Sequence, residues 1–412
     1  MTTTKPSGPL LGRRAMVARD REEPHRASTP LELLFDLCFV VAVSQAAAAL
    51  HHALVEGEVG HAVLSYSAVF FAIWWAWMNF TWFASAYDTD DVVYRLMTFV
   101  QIAGVLVLAA GVAAAFDGDF LVVTIGYVVM RVSMTAQWLR AAGGDPLHRQ
   151  TAVRYAIVLV LTQTAWVLRL FLPDSAAAIS FIVLVVVEVA GPYWAERVGN
   201  STPWHPEHIA ERYGLFTIIV LGECILSSFV AINVAITVGI SSEIVITAVV
   251  GLLTVFAIWW TYFRLSADEM LREKPQLAFV WGYGHYFLFG SIAALGAGIS
   301  VLADAAPFIS GTTEHVSAVH LSLQGTVLAF AIPVAITMLM LAMLRSLAHE
   351  GGRRRDAVGY GSAVSALVIG VAGGRLGLTT ALVLLGVVVV GRVVLDEVLS
   401  PSATDLALPA LE

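Results

Sequence analysis

The chain is poor in charge, in lysine and in cysteine. Only 13% of its 412 residues are Asp, Glu, Lys or Arg, about half the share of a soluble domain. A soluble protein of this length needs far more charge to cover its surface. Lysine occurs only at Lys5 and Lys274, outside every long apolar run, which removes Schiff-base chemistry on an intramembrane lysine. The two cysteines, Cys38 and Cys224, lie inside apolar runs and read as small packing side chains, not as a disulfide framework or metal cluster. No G-x-x-x-x-G-K-[ST] loop occurs, so an ATP-driven pump in one chain is unsupported. No polar stretch is long enough for an appended soluble enzyme, and neither a cofactor nor a nucleic-acid partner is expected.

What the chain has is apolar length. Hydrophobic residues make up 58% of it. Runs of the roughly 20 residues that cross a bilayer are placed near 31–52, 62–86, 94–115, 120–140, 152–172, 176–196, 210–232, 244–264, 277–302, 318–344, 357–373 and 377–398. The last two are barely separated, by Arg375 and its neighbouring glycines, so one long hairpin or a re-entrant segment is an alternative there. The expected fold is an all-α membrane protein of about twelve transmembrane helices, with the lipid bilayer as its main partner.

Basic residues orient it. Lys5, Arg13, Arg14, Arg19, Arg21 and Arg26 precede the first run, and Arg95, Arg140, Arg149, Arg154, Arg197, Arg212, Arg264, Arg272, Lys274, Arg345 and Arg353 to Arg355 are assigned to the even-numbered loops. The odd-numbered loops carry acids and histidines instead, such as His51, His52, Glu56, Glu58 and His61, apart from Arg169 and Arg375 near span ends. This asymmetry places both termini in the cytoplasm. The first apolar run follows about thirty polar residues, so no cleavable signal peptide is expected.

The pentapeptide Phe-Ala-Ile-Trp-Trp occurs at 71–75 and again at 256–260. Setting Glu32 on Glu211 aligns ELLFDLCFVVAVSQ with ERYGLFTIIVLGEC and brings Ser44 opposite Glu223. The order of these matches suggests two six-helix parallel repeats, over 30–200 and 201–400, between a flexible cytoplasmic tail (1–29) and a short tail (401–412). Repeats of this kind hold transporter substrates near the bilayer midplane; retention for packing alone is the other reading.

Ionisable side chains inside a span are costly unless partnered, and each marks a candidate site. Thr29-Pro30 looks like a helix start, with Glu32 favouring the helix dipole. Asp36 lies one turn deeper on the same face. Glu223, beside Gly222, falls near mid-span and reads as a proton carrier, a cation ligand or the partner of a buried arginine; Arg212 lies three turns away on nearly the same face. Arg131 is about mid-span and could pair with Glu188 or Glu223. His285 is a candidate relay or a hydrogen-bonded packing residue. The pairs Trp74-Trp75 and Trp259-Trp260, read as lying deep in their spans, line a cavity or pack, with one ring of each pair facing protein and the other lipid. His205-Pro206-Glu207-His208 is a poor zinc site, and no metal site is expected.

The segments HRASTPLELLFDLCFVVAVSQ (25–45), HIAERYGLFTIIVLGECIL (208–226) and WGYGHYFLFGSIAALGAGI (281–299) resemble the bacterial low temperature requirement A (LtrA) family over nearly the whole chain after residue 24. The resemblance implies a multi-pass membrane protein, in a family named for a growth requirement in the cold. Cys224 stands where the family commonly has a small hydroxyl residue. The expected function is an ion- or proton-coupled secondary transporter of the cytoplasmic membrane, not an enzyme, carrying a small solute. Asp36 and Glu223 would couple transport, with Arg131, Glu188 and His285 as network members. The alternative is a non-transporting structural or regulatory membrane protein.

Overall fold

The structure is a computed structural model and describes residues 14–24, 26–238, 241–310, 319–348 and 352–400. Residues 1–13 of the expected N-terminal tail and the whole 401–412 tail lie outside the described residues. The helices are α1 (Pro30–Val55), α2 (Val59–Tyr87), α3 (Val92–Ala110), α4 (Val112–Phe116), α5 (Leu121–Gly144), α6 (Arg149–Arg169), α7 (Asp174–Glu196), α8 (Pro206–Val238), α9 (Ser242–Tyr262), α10 (Ala267–Glu273), α11 (Ala278–Ser310), α12 (Leu323–Ala348), α13 (Arg353–Leu376) and α14 (Leu378–Val398). Twelve are long and apolar enough to cross a membrane; α4 and α10 are short. Among the described residues there is no strand. Large apolar side chains such as Leu64, Phe171, Ile182 and Val387 stand exposed, as lipid-facing positions of a multi-pass membrane protein do.

Helix ends follow local chemistry. Thr29 and Glu32 form a reciprocal cap on α1: the Thr29 amide donates to Glu32 Oε2 at 2.7 Å and the Glu32 amide to Thr29 Oγ1 at 3.3 Å, the S/T-x-x-E arrangement that satisfies two orphan donors. The Asp91 carboxylate caps α3 by accepting from the Tyr94 amide at 2.7 Å. Between α13 and α14 only Gly377 intervenes, at φ +80°, a conformation that costs glycine little. The last two runs are therefore two separate helices, each long enough to cross.

The chain divides into two compact units, residues 1–46 with 68–215, and residues 47–67 with 216–412. The helices α1, α2 and α8 each contribute one segment to either unit. Within the first unit, α5 packs on α3 and α6, and α6 on α7. The α3–α5 crossing is a backbone contact. A Cβ on Gly126 would lie 2.5 Å from the Leu108 amide nitrogen, and one on Gly104 would lie 2.8 Å from the Gly126 carbonyl oxygen. Small residues allow such approach in a bilayer, where dispersion replaces the hydrophobic drive between helices. Within the second unit, α12 packs against α9, α11, α13 and α14.

Residues 14–24 and 26–29 differ from the flexible tail expected of them. Met16 and Arg26 are buried, the Arg19 amide donates to the Ala86 carbonyl at 2.9 Å, and Arg26 Nη2 donates to the Ala84 carbonyl at 2.8 Å. Arg26 satisfies carbonyls at the C-terminal end of α2, where cations are favoured.

Gly126→Val is expected to separate α3 from α5, because backbone atoms of α3 cannot yield as side-chain tips do. Thermal unfolding of the purified variant should begin at least several degrees below the wild type, whereas Gly143→Val, at a position with open space around it, should not shift it.

Candidate functional site

Two helices that both begin at proline build the most charged part of the first unit. Glu32 and Asp36 lie two and six residues after Pro30, and His208 and Arg212 lie two and six residues after Pro206. Spacing of four puts each pair on one helix face. The pairs therefore match in depth, and all four side chains are buried. Arg212 grips Asp36 with two nitrogens, Nη2 to Oδ1 at 2.5 Å and Nε to Oδ2 at 3.0 Å. Trp77 Nε1 donates to the same Oδ1 at 2.7 Å, and Arg212 Nη2 also reaches Thr81 Oγ1 at 3.4 Å. Arg212 Nη1 and His208 Nε2 both stand 3.1 Å from Glu32 Oε1. These last two are charge contacts at ion-pair distance, without the alignment of a hydrogen bond.

The charges do not cancel within the cluster. Glu32 and Asp36 bring two negative charges and Arg212 one positive. With His208 neutral the cluster is one positive charge short, and a proton on His208 closes the deficit. The surrounding charges sit at the ends of α2 and α3. Arg26 is buried against the α2 carbonyls, and the Asp88 carboxylate, on a side chain 3% exposed, stands 3.4 Å from Arg19 Nη1. Burial and the nearby Glu32 charge push the Asp88 carboxyl up to about 6, against the pull of Arg26 and Arg19. Asp91 goes the other way. Burial would raise it, but the amides of Tyr94 and Arg14 and the Arg140 guanidinium, 2.7 Å away, outweigh that and hold it below the ordinary carboxylate range.

A second buried pair in the first unit is neutral. Arg131 Nη2 lies 3.1 Å from Glu188 Oε2, which also accepts from Trp75 Nε1 at 2.6 Å, while Trp166 Nε1 donates to Glu188 Oε1 at 3.1 Å. Arg131 further donates to the Tyr127 hydroxyl at 3.1 Å and stacks over its ring. Of the two carboxylates weighed for Arg131, its partner is Glu188. Glu211 has a different task from Glu32, with which it was aligned: its Oε2 accepts from the Ser28 amide at 2.9 Å, just before α1.

In the second unit Glu223 is half-buried on α8. Gly222 beside it faces open space, and the close approach is made by Gly296 of α11, where a Cβ would meet Glu223 Cγ at 3.0 Å. His285 is buried elsewhere in this unit. Its Nδ1 donates to the Trp281 carbonyl at 2.7 Å and its Nε2 pairs with the Tyr262 hydroxyl at 3.1 Å, with Trp281 and Phe289 rings against it. Trp259 and Trp260 are corrected as cavity aromatics. They stand 47% and 48% exposed, two or three residues from the end of α9, and Trp260 Nε1 donates to Glu397 at 2.7 Å. Trp74 and Trp75 are both buried, so neither pair splits between protein and lipid. The reason is helical position: α2 carries its copy mid-helix under packed neighbours, and α9 carries its copy at an end where Ala257 and Ile258 alone turn inward.

Sequence reasoning weighed His208 only as a metal ligand, and it overlooked Trp77 and a buried trio in the second unit. Arg345 holds Asp396 with both terminal nitrogens at 2.8 and 2.7 Å, and Arg392 Nε lies 3.7 Å from the same carboxylate. The signal for the trio was Arg392 and Asp396 four apart in an apolar run. For His208 it was the equal offset from the two prolines. Among the described residues no three His, Cys, Asp or Glu side chains converge as metal ligands.

The bacterial low temperature requirement A protein (LtrA) family pattern matches residues 27–394. The chain belongs to the LtrA family. An uncharacterized protein of Rhizobium meliloti (strain 1021) is similar, at 31% identity over 315 residues, covering 71% of this chain and 73% of that protein. The LtrA match spans both carboxylates of the proline-offset cluster and their partners His208 and Arg212.

Removing one partner of a buried ion pair costs about 3–5 kcal/mol, because the other charge is stranded. Arg212→Met, which leaves Glu32 and Asp36 together in an apolar site, is expected to destabilise on that scale, and adding Asp36→Leu should recover part of the loss; unfolding in a denaturing detergent titration reads both. Asp88 gives a separate pH signature. Its folded value lies above its ordinary 3.8, so the folded state binds the proton more tightly, and stability falls as pH rises between about 4 and 6. Asp88→Asn should flatten that fall in melting temperatures taken across the same range.

Proposed function

We propose that this LtrA-family protein is a proton-coupled secondary permease of the bacterial cytoplasmic membrane, with both termini cytoplasmic, and that Glu32, Asp36, Arg212 and His208 form its proton-binding element. The observation that carries the reading is the charge deficit of a sealed cluster. A fully compensated ion network has no use for a proton, whereas two carboxylates sharing one guanidinium beside a histidine take up one and become neutral. A neutral cluster can change its packing in an apolar medium at far lower cost than a charged one, which ties protonation to conformational change. Arg26, Asp88 and Tyr94 are the charged and titratable neighbours that set when it happens. Glu223 is the second coupling candidate, in the other unit. The reading is of a carrier, not an enzyme, and its cargo is a small solute.

A static structural or regulatory membrane protein is the second reading, and the two-nitrogen grip of Arg212 on Asp36 favours it, since such a grip resists release. Proteoliposomes with an internal pH dye separate the two. Under the permease reading some solute from a chemically mixed panel acidifies the lumen of wild-type vesicles, Glu32→Gln slows this at least tenfold, and His208→Phe removes its pH dependence. Flux that is insensitive to an imposed pH gradient, or equal in Glu32→Gln and the wild type, would sink the coupling role. No flux for any solute would leave the static reading. Equal flux in Glu223→Gln would remove Glu223 alone.

A further inference from the structure

Arg169 is one of two basic residues that break the loop asymmetry, and the structure gives it an unusual setting. It is the last residue of α6 and lies between three rings, with its guanidinium carbon 5.1 Å from the Phe120 centroid, 5.3 Å from Phe181 and 5.9 Å from Trp166. Its Nη2 donates to the Ala177 carbonyl of α7 at 3.1 Å, so it does not serve the open carbonyls of its own helix end. Its Nε–H is buried and has no hydrogen-bond partner. Together with Thr124 and Tyr127 these residues line a pocket of about 40 Å³ within the first unit. That is room for about three water-sized positions. Trp166 and Tyr127, two of its lining residues, are the same side chains that hold Glu188 and Arg131.

We infer that this pocket is a binding site for a small monocarboxylate of about the size of acetate or propionate. Its chemistry selects that class in three ways. One guanidinium is the sole charged lining group, so a monoanion is neutralised, whereas a sulfate or phosphate dianion would keep an unpaired charge among rings. The ring faces are occupied by the Arg169 cation itself, which repels a second cation. Apart from Thr124 the remaining walls are aromatic and apolar, which suits a tail of one or two carbons. A guanidinium with a donor to spare is the usual partner of a carboxylate. Arginine at this span end is, with Arg375, one of two exceptions to the basic-residue pattern of the loops, against the orientation rule, which points to a use for the charge there. The assignment of a monocarboxylate as cargo rests on the permease reading; the binding site itself does not.

Equilibrium dialysis of the purified detergent-solubilised protein against radiolabelled propionate tests the site. The wild type should bind saturably and release the label to acetate, but not to propionamide, propylammonium or sulfate. Arg169→Gln should weaken binding at least tenfold. Ala72→Leu, which fills the pocket and keeps the charge, should do the same, and it guards against a folding defect in the first variant. Binding unchanged in both variants, displacement by propionamide, or no saturable binding would overturn the proposal. Complete displacement by phosphatidylglycerol bicelles would reassign the box to a lipid headgroup and overturn it too. Saturable, Arg169-dependent binding, with no proton-coupled flux of propionate or of any other solute in vesicles, would retire the permease reading and keep the site. Flux of another solute without propionate binding would do the reverse.

Discussion

A carboxylate in an apolar slab must find a cation, and the contact of Asp36 with Arg212 is where this protein meets that demand most completely. The two residues are 176 positions apart, so the pairing fixes the start of α8 against the start of α1 within the first unit. Much else there depends on it. Trp77 of α2 spends its indole N–H on Asp36, and Thr81 of the same helix backs the guanidinium. Glu32, one turn up, divides itself between capping α1 and facing Arg212 and His208. Thus a helix cap, a helix pairing and an ion network share one carboxylate.

Three buried charge groups show three different balances. Arg131 with Glu188 is neutral and wrapped in indole donors. The trio of Arg345, Arg392 and Asp396 carries one cation in excess. The group around Arg212 carries one anion in excess. Of the three, only the last contains a histidine. The difference between a balanced staple and a group short of a cation comes from counting charges within each group, because all three are buried.

The twelve spans were legible from hydropathy, because a long apolar run has one good destination and its length alone marks it. Their ends were less so. The run placed at 210–232 extends in fact from Pro206 to Val238, since a helix continues past the apolar stretch wherever polar residues find partners, as His208 and Arg212 do. Partner choice was largely illegible. Arg212 lies on nearly the same helix face as Glu223, yet its carboxylate is Asp36, on a helix distant in sequence. The equal proline offsets held that information, but it emerges only once α1 and α8 are known to start side by side. The two Phe-Ala-Ile-Trp-Trp copies teach the converse: the three rings are buried in α2 and exposed in α9, because neighbours, not the pentapeptide, decide what a ring meets.

The long separation between Asp36 and Arg212 also has a consequence during synthesis. At roughly 5–20 residues per second, the ribosome needs on the order of 10–35 s to add the 176 residues between them. For that interval α1 exists with two acids and no guanidinium to receive them. The start of the first helix must meanwhile stay within reach of water or of a lipid headgroup, and it can settle at its final depth only when the seventh long helix arrives. The earliest segment to be made is among the last to be finished.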